Sequence, residues 1–195
     1  MTHLLPYLPR TSFTDADLMC KSTQVFGNQS EVFPLLRVHA GDLVALRYRE
    51  NGHITKSDSP EDEKLTFGAV SVYGTRSARE DDKLTSIHHV WNANNTGGDL
   101  RGRLLHRQSF DDGSCYESNK SSLSAVRSRK GQPPHDGIDG SGLACKVVVK
   151  IPHDIPKGTI YTLYWVWDWP SVSGDVAIGV IKEELYTTCV DIYVK

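Results

Sequence analysis

Between Tyr161 and Trp169 the residues Tyr161, Leu163, Trp165, Trp167 and Trp169 alternate with Thr162, Tyr164, Val166 and Asp168, a run that fits a strand in a buried sheet and little else. β-Branched and aromatic side chains suit a pleated, half-buried surface, and a period of two sends successive side chains to opposite faces. Residues 43–48, 68–73, 145–151 and 184–194 carry the same enrichment. In the last of these, Leu185, Thr187, Cys189 and Asp191 take one face and Tyr186, Thr188, Val190 and Ile192 the other, which predicts a strand with one buried side. Helical spacing is confined to two stretches: residues 81–92, through Leu84, Ile87, His88 and Trp91, and residues 121–129. Short strands bounded by turn formers, with no alternation of strand and helix, predict an all-β, immunoglobulin-like antiparallel β-sandwich with long loops and one or two short helices. Residues 56–64 and 130–142 read as the long loops, and residues 1–195 as a single domain.

Composition narrows the function classes. A chain of 195 residues can bury one core. Its 22 basic and 24 acidic side chains are interspersed, and the densest basic run, Arg127 to Lys130, reads as a solvated loop. A phosphate backbone needs a basic face or stripe, so nucleic acid is not an expected partner. No apolar run approaches the roughly twenty residues of a membrane-spanning helix, so no membrane partner is expected either. The start, Met1 to Pro9, carries two prolines and lacks the apolar stretch of a secretory signal. The sequence therefore reads as made without a signal or as beginning downstream of one. Cysteine usage points to a secreted ancestry: Cys20, Cys115, Cys145 and Cys189 are widely spaced and even in number, which suits two disulfides. Sequons at Asn28, Asn94 and Asn119 point the same way.

Three segments could carry chemistry. In Tyr48-Arg-Glu-Asn-Gly-His-Ile-Thr55 a strand runs into a glycine turn that lifts His53 off the sheet, where an imidazole serves as ligand, acid/base group or cap. Asp168 stands between Trp167 and Trp169, and a carboxylate there is paired, capping a turn or working. Apolar surroundings would favour its protonated form, as a general acid requires. On the last strand Tyr186 and Cys189 lie on opposite faces, so the tyrosine can face a site while the cysteine ties the strand to a loop.

Taken in order, the Gly-His loop, the Tyr-x-Leu-x-Trp-x-Trp strand and the terminal Tyr-x-x-Cys strand resemble the lytic polysaccharide monooxygenases, and more closely a fungal family of that general type. The segments that carry the resemblance are Asp17-Leu-Met-Cys20, Glu50-Asn-Gly-His53, Val72-Tyr-Gly-Thr75, Phe110-Asp-Asp-Gly-Ser-Cys-Tyr116, Tyr161 to Pro170 and Tyr186-Thr-Thr-Cys-Val-Asp191. The resemblance implies that His53 is the second copper ligand of a histidine brace, with Tyr186 or Asp168 as the axial group. The brace also needs a mature N-terminal histidine, whereas this sequence opens Met1-Thr2-His3. A single imidazole with a tyrosine is a poor copper site, so no metal or cofactor is expected, with copper on His53 and Tyr186 as the alternative. The expected function is binding of a compact organic ligand or substrate, with non-oxidative acid/base chemistry such as cyclisation, dehydration or isomerisation. His53, Asp168 and Tyr186 are the expected catalytic groups, converging on one rim, and His3, Trp167, Trp169 and Tyr164 the ligand-binding ones. The alternatives are a copper-dependent monooxygenase and a glycan-binding or structural protein. The expected disulfides pair Cys20 with Cys189 and Cys115 with Cys145.

Overall fold

The computed structural model of the chain describes residues 3–5, 10, 12–28, 33–55, 67–130, 142–169, 171–172 and 181–195. The loop expected at 56–64 lies outside the described residues, as do residues 131–141 of the one expected at 130–142, whose first residue, Lys130, instead ends a helix. The strands are β1 (His3–Leu5), β2 (Leu36–Val38), β3 (Leu43–Tyr48), β4 (Ala69–Thr75), β5 (Gly102–Ser109), β6 (Cys145–Lys150), β7 (Thr159–Asp168), β8 (Ser171–Val172), β9 (Ile181–Lys182) and β10 (Leu185–Val194). Two short helices accompany them, α1 (Leu84–Ile87) and α2 (Ser122–Lys130). Among the described residues no helix is long and apolar enough to cross a membrane.

The larger sheet runs β1-β10-β7-β4-β5, with β2 also on β10. β7 and β10 pair antiparallel along their whole length, from Leu185 opposite Asp168 to Val194 opposite Thr159, as two long alternating segments should. β2 joins parallel to Ile192 through Val194, the one departure from antiparallel order among the described strands. The smaller sheet is the antiparallel pair β3 and β6. Val44, Val147 and Val149 of that pair pack against Val70, Val72, Leu163, Trp165 and Trp167 of the larger sheet, so the architecture is the all-β sandwich expected from the sequence.

The outer face of the larger sheet is covered as well. Tyr73, Tyr164, Val166 and Leu185 pack beneath Leu5, Met19, Leu84, Ile87 and Trp91, which come from the N-terminal segment and the region around α1. The expectation of one buried side for the last strand is thereby corrected: Leu185, Thr187, Cys189 and Asp191 are buried on one face, and Ile192 on the other. Asp191 avoids the penalty of an unpaired buried carboxylate by accepting from Thr162 Oγ1 at 2.6 Å and Gly27 N at 2.8 Å.

Both expected disulfides are present. Cys20–Cys189 ties the N-terminal segment to β10, and Cys115–Cys145 ties the loop after β5 to the start of β6. The basic run expected as solvated loop instead forms the last turns of α2. Arg127 folds inward and donates from Nη1 and Nη2 to Asp111 at 2.8 Å each, and from Nη1 to the Cys115 carbonyl at 2.8 Å. Ser121 opens this helix, its Oγ accepting the Ser124 N–H at 3.1 Å as an N-cap does.

Candidate functional site

His53 is held out by a tight turn. Asn51 and Gly52 both take positive φ, 48° and 78°, the pair of left-handed residues that a type I′ reversal requires. His53 N–H closes the turn by donating to the Glu50 carbonyl at 2.9 Å. The Glu50 side chain, 1% exposed, then fixes the descending arm. It accepts from Ile54 N at 2.6 Å, Thr55 N at 3.2 Å, Glu117 N at 3.0 Å and the Thr55 hydroxyl. A buried carboxylate with that many donors is satisfied, and it bolts the His53 turn to the segment after the Cys115 disulfide.

The turn delivers the His53 ring to the aromatic face of β7, with centroids 5.3 Å from Trp167 and 4.5 Å from Trp169, edge-on to the latter. Trp167 is the middle of a stack. Phe110 lies 3.8 Å away at 14°, Trp169 4.8 Å at 17° and Tyr186 4.9 Å at 24°, while its indole N–H donates to the Phe67 carbonyl at 2.9 Å. The Tyr186 hydroxyl donates to Glu184 Oε1 at 2.7 Å. Around this stack opens a cleft of about 590 Å³ between β3 and β10, lined by His53, Tyr186, Tyr48, Phe110, Trp165 and Trp167, with Arg47 and Arg49 at its edge.

Asp168 lies elsewhere. It follows Trp167 along β7 and so points to the other face of the sheet, where its Oδ2 is 3.1 Å from His89 Nε2 and 3.5 Å from His88 Nε2. The expected convergence of His53, Asp168 and Tyr186 is therefore corrected, because alternation along a strand separates adjacent residues by the thickness of the sheet. The expected protonation of Asp168 is corrected too. Burial pushes its pKa up, but the neighbouring imidazoles of His88 and His89 outweigh that and hold it below the usual carboxylate range. Burial likewise pushes the His88 imidazole down, favouring its neutral form.

Among the expected ligand-binding residues, Trp167 lines the cleft and Trp169 stands beside His53. Tyr164 does not, being fully buried on the opposite face with its hydroxyl donating to Asp82 at 2.6 Å. His3 is placed by its backbone opposite Thr187, and its side chain lies outside the described residues. The sequence reading missed Glu50, whose signal was a carboxylate directly before an Asn-Gly turn. It also read His88 as part of a helical face. The His88-His89 doublet just past Ile87 was the mark of something else, since His89 takes φ 61°, a left-handed conformation costly for a side chain with a Cβ.

Among the described residues, the groups of three or more histidine, cysteine or carboxylate ligand atoms that lie close together are His88, His89, Asp168 and Asp112, Cys115, Cys145, and in the second both cysteines are tied up in their disulfide.

No curated protein matches this sequence. A solved structure named CvAA9A is similar over 92% of this chain at 13% sequence identity, with a TM-score of 0.40. The chain spans 65% of that structure's length. The family model described as "Domain of unknown function (DUF7492)" matches residues 1–195, and the chain belongs to that family.

Proposed function

We infer that this protein binds a compact, partly apolar organic ligand in the cleft between β3 and β10. The observation that carries the reading is the meeting of His53, Trp167 and Tyr186 at one concave site of about 590 Å³. That volume falls within the usual range for small-molecule sites, and the lining is aromatic with a few polar groups at its edge, the usual recipe for orienting a ring-bearing ligand. A flat crystalline surface needs aromatic faces that project outward, whereas here Trp165 and Trp167 are buried in the cleft wall. His53 is the imidazole of the cleft and acts as its acid/base group in any non-oxidative proton transfer. Tyr186 presents its hydroxyl oxygen as an acceptor, its proton being committed to Glu184. Asp168 takes no part in this chemistry.

Tryptophan fluorescence reports the site directly. Titration with phenyl β-glucoside, a compact ring-bearing probe, is expected to change the emission saturably with a Kd below about 1 mM, about −4 kcal/mol. His53→Ala is expected to weaken that binding tenfold or more. Saturable binding of cellohexaose with none of the phenyl glucoside would replace this reading with a glycan-holding one, and no saturable change with either probe would overturn ligand binding at the cleft.

A further inference from the structure

On the sheet face opposite the cleft, His88, His89 and Asp168 bring three ligand atoms within 4.8 Å of one another. We propose that these residues form a site for a divalent transition-metal ion of the zinc type, with a coordination position left open to solvent. Neutral imidazoles and a carboxylate are the donor set such an ion takes, and three protein ligands with a free position mark a reactive rather than a purely structural site.

Three independent features of the site support this assignment. First, two ligand atoms bound tetrahedrally at zinc distances stand about 3.3 Å apart. Asp168 Oδ2 lies 3.1 Å from His89 Nε2 and 3.5 Å from His88 Nε2, on either side of that value. Small rotations of the half-exposed His89 ring close what remains. Second, His88 Nε2 is a buried polar atom with no hydrogen-bond partner, on a side chain only 7% exposed. An orphaned imidazole nitrogen aimed at a carboxylate, too far for a bond and right for a shared ion, otherwise carries an uncompensated desolvation cost. Third, the outer contacts set the tautomer. The Tyr73 hydroxyl oxygen accepts the His89 backbone N–H at 3.1 Å and lies 3.1 Å from His88 Nδ1. A proton on Nδ1 donates to that oxygen and leaves the Nε2 lone pair facing Asp168, the arrangement in which metal-bound histidines are usually held.

The open position faces a second cavity of about 350 Å³, bordered by Phe13, Leu84, Thr85, Glu183 and Leu185. Water or a small substrate carrying an oxygen donor reaches the ion from there. The left-handed backbone at His89 fits the same reading, because it swings the second imidazole back over the first, with ring centroids 3.8 Å apart.

The test uses the 195-residue chain with Co²⁺ as a visible probe and Zn²⁺ as competitor. One Co²⁺ per chain is expected, with ligand-field absorption that stoichiometric Zn²⁺ abolishes. His89→Ala, at a half-exposed position, and Asp168→Ala are each expected to lower Zn²⁺ affinity about 100-fold or more, and Tyr73→Phe about tenfold, the range over which outer-shell partners act. His53→Ala leaves binding unchanged, and circular dichroism of each variant separates ligand loss from unfolding. Absence of saturable Co²⁺ and Zn²⁺ binding, or binding that survives both His89→Ala and Asp168→Ala in folded protein, overturns the proposal.

Discussion

Trp167 and Asp168 are consecutive on β7, yet each meets a different histidine: the His53 ring centroid is 5.3 Å from Trp167 on the inner face, and His89 Nε2 is 3.1 Å from Asp168 on the outer face. One strand thus serves two sites through the sheet. The sites should be separable by mutation. Asp168→Asn is expected to leave ligand affinity at the cleft within twofold of wild type, and His53→Ala to lower the thermal midpoint by no more than about 4 °C, the effect of about 1 kcal/mol at a half-buried turn position. Paired fluorescence titrations and melts of both variants check this, and a tenfold loss of cleft binding in Asp168→Asn would show the faces to be coupled.

The Glu50 carboxylate is the anchor of the His53 turn. Replacing it with alanine orphans the buried N–H groups of Ile54 and Thr55 and leaves the Glu117 N–H with only the Thr55 hydroxyl oxygen at 3.3 Å. Each orphan costs on the order of 1–3 kcal/mol where water cannot enter, so a net destabilisation of about 3 kcal/mol is expected in urea denaturation. Glu50→Gln keeps acceptors and should recover part of it.

The Trp167 stack bears on stability as well as binding. Its ring touches Phe110, Trp169 and Tyr186, and Trp167→Ala leaves a cavity among all three. A loss of about 3–5 kcal/mol is expected. Trp167→Phe, which refills part of the space, should fold with a smaller loss, and the difference between the two in chemical denaturation measures the packing term.

The disulfides constrain very different lengths of chain, with sequence separations of 169 for Cys20–Cys189 and 30 for Cys115–Cys145. In the chain-entropy model these correspond to about 5 and about 4 kcal/mol. Cys20→Ser/Cys189→Ser should therefore lower stability at least as much as Cys115→Ser/Cys145→Ser in denaturant titrations under non-reducing conditions.

Acid sensitivity should trace in part to Asp111. Burial would raise its pKa, but the paired donors of Arg127 and the Gly113 N–H hold it below the usual carboxylate range. A folded pKa below the unfolded value of about 3.9 stabilises the protein fully above pH 4 and loses that contribution as the pH falls further. Asp111→Asn is expected to be less stable by about 2 kcal/mol at pH 7, with the gap to wild type narrowing below pH 4. Equal gaps at pH 7 and pH 2.5 would show that the charge is not the source.

The sequence by itself determined which residues alternate, and with that the β7 and β10 strands, their buried tryptophans and the all-β class. Period two is a property of the backbone and survives any packing. It also marked His53 as lifted from the sheet, because Asn51-Gly52 can turn in few ways. Alternation even separated Asp168 from Trp167, although the expectation of a shared rim set that aside. Only the tertiary structure decided what stands opposite each face. Cover over the outer sheet comes from α1 and the N-terminal segment, far away in sequence, so that His88 and His89 settle on the Tyr73 hydroxyl and meet Asp168 through contacts that no local pattern encodes. Arg127 shows the same physics in reverse: a basic run looks solvated until a half-buried carboxylate arrives from 16 residues upstream. Local geometry is written in the spacing of residue types, whereas the partners of a charge are chosen by the whole chain closing on itself.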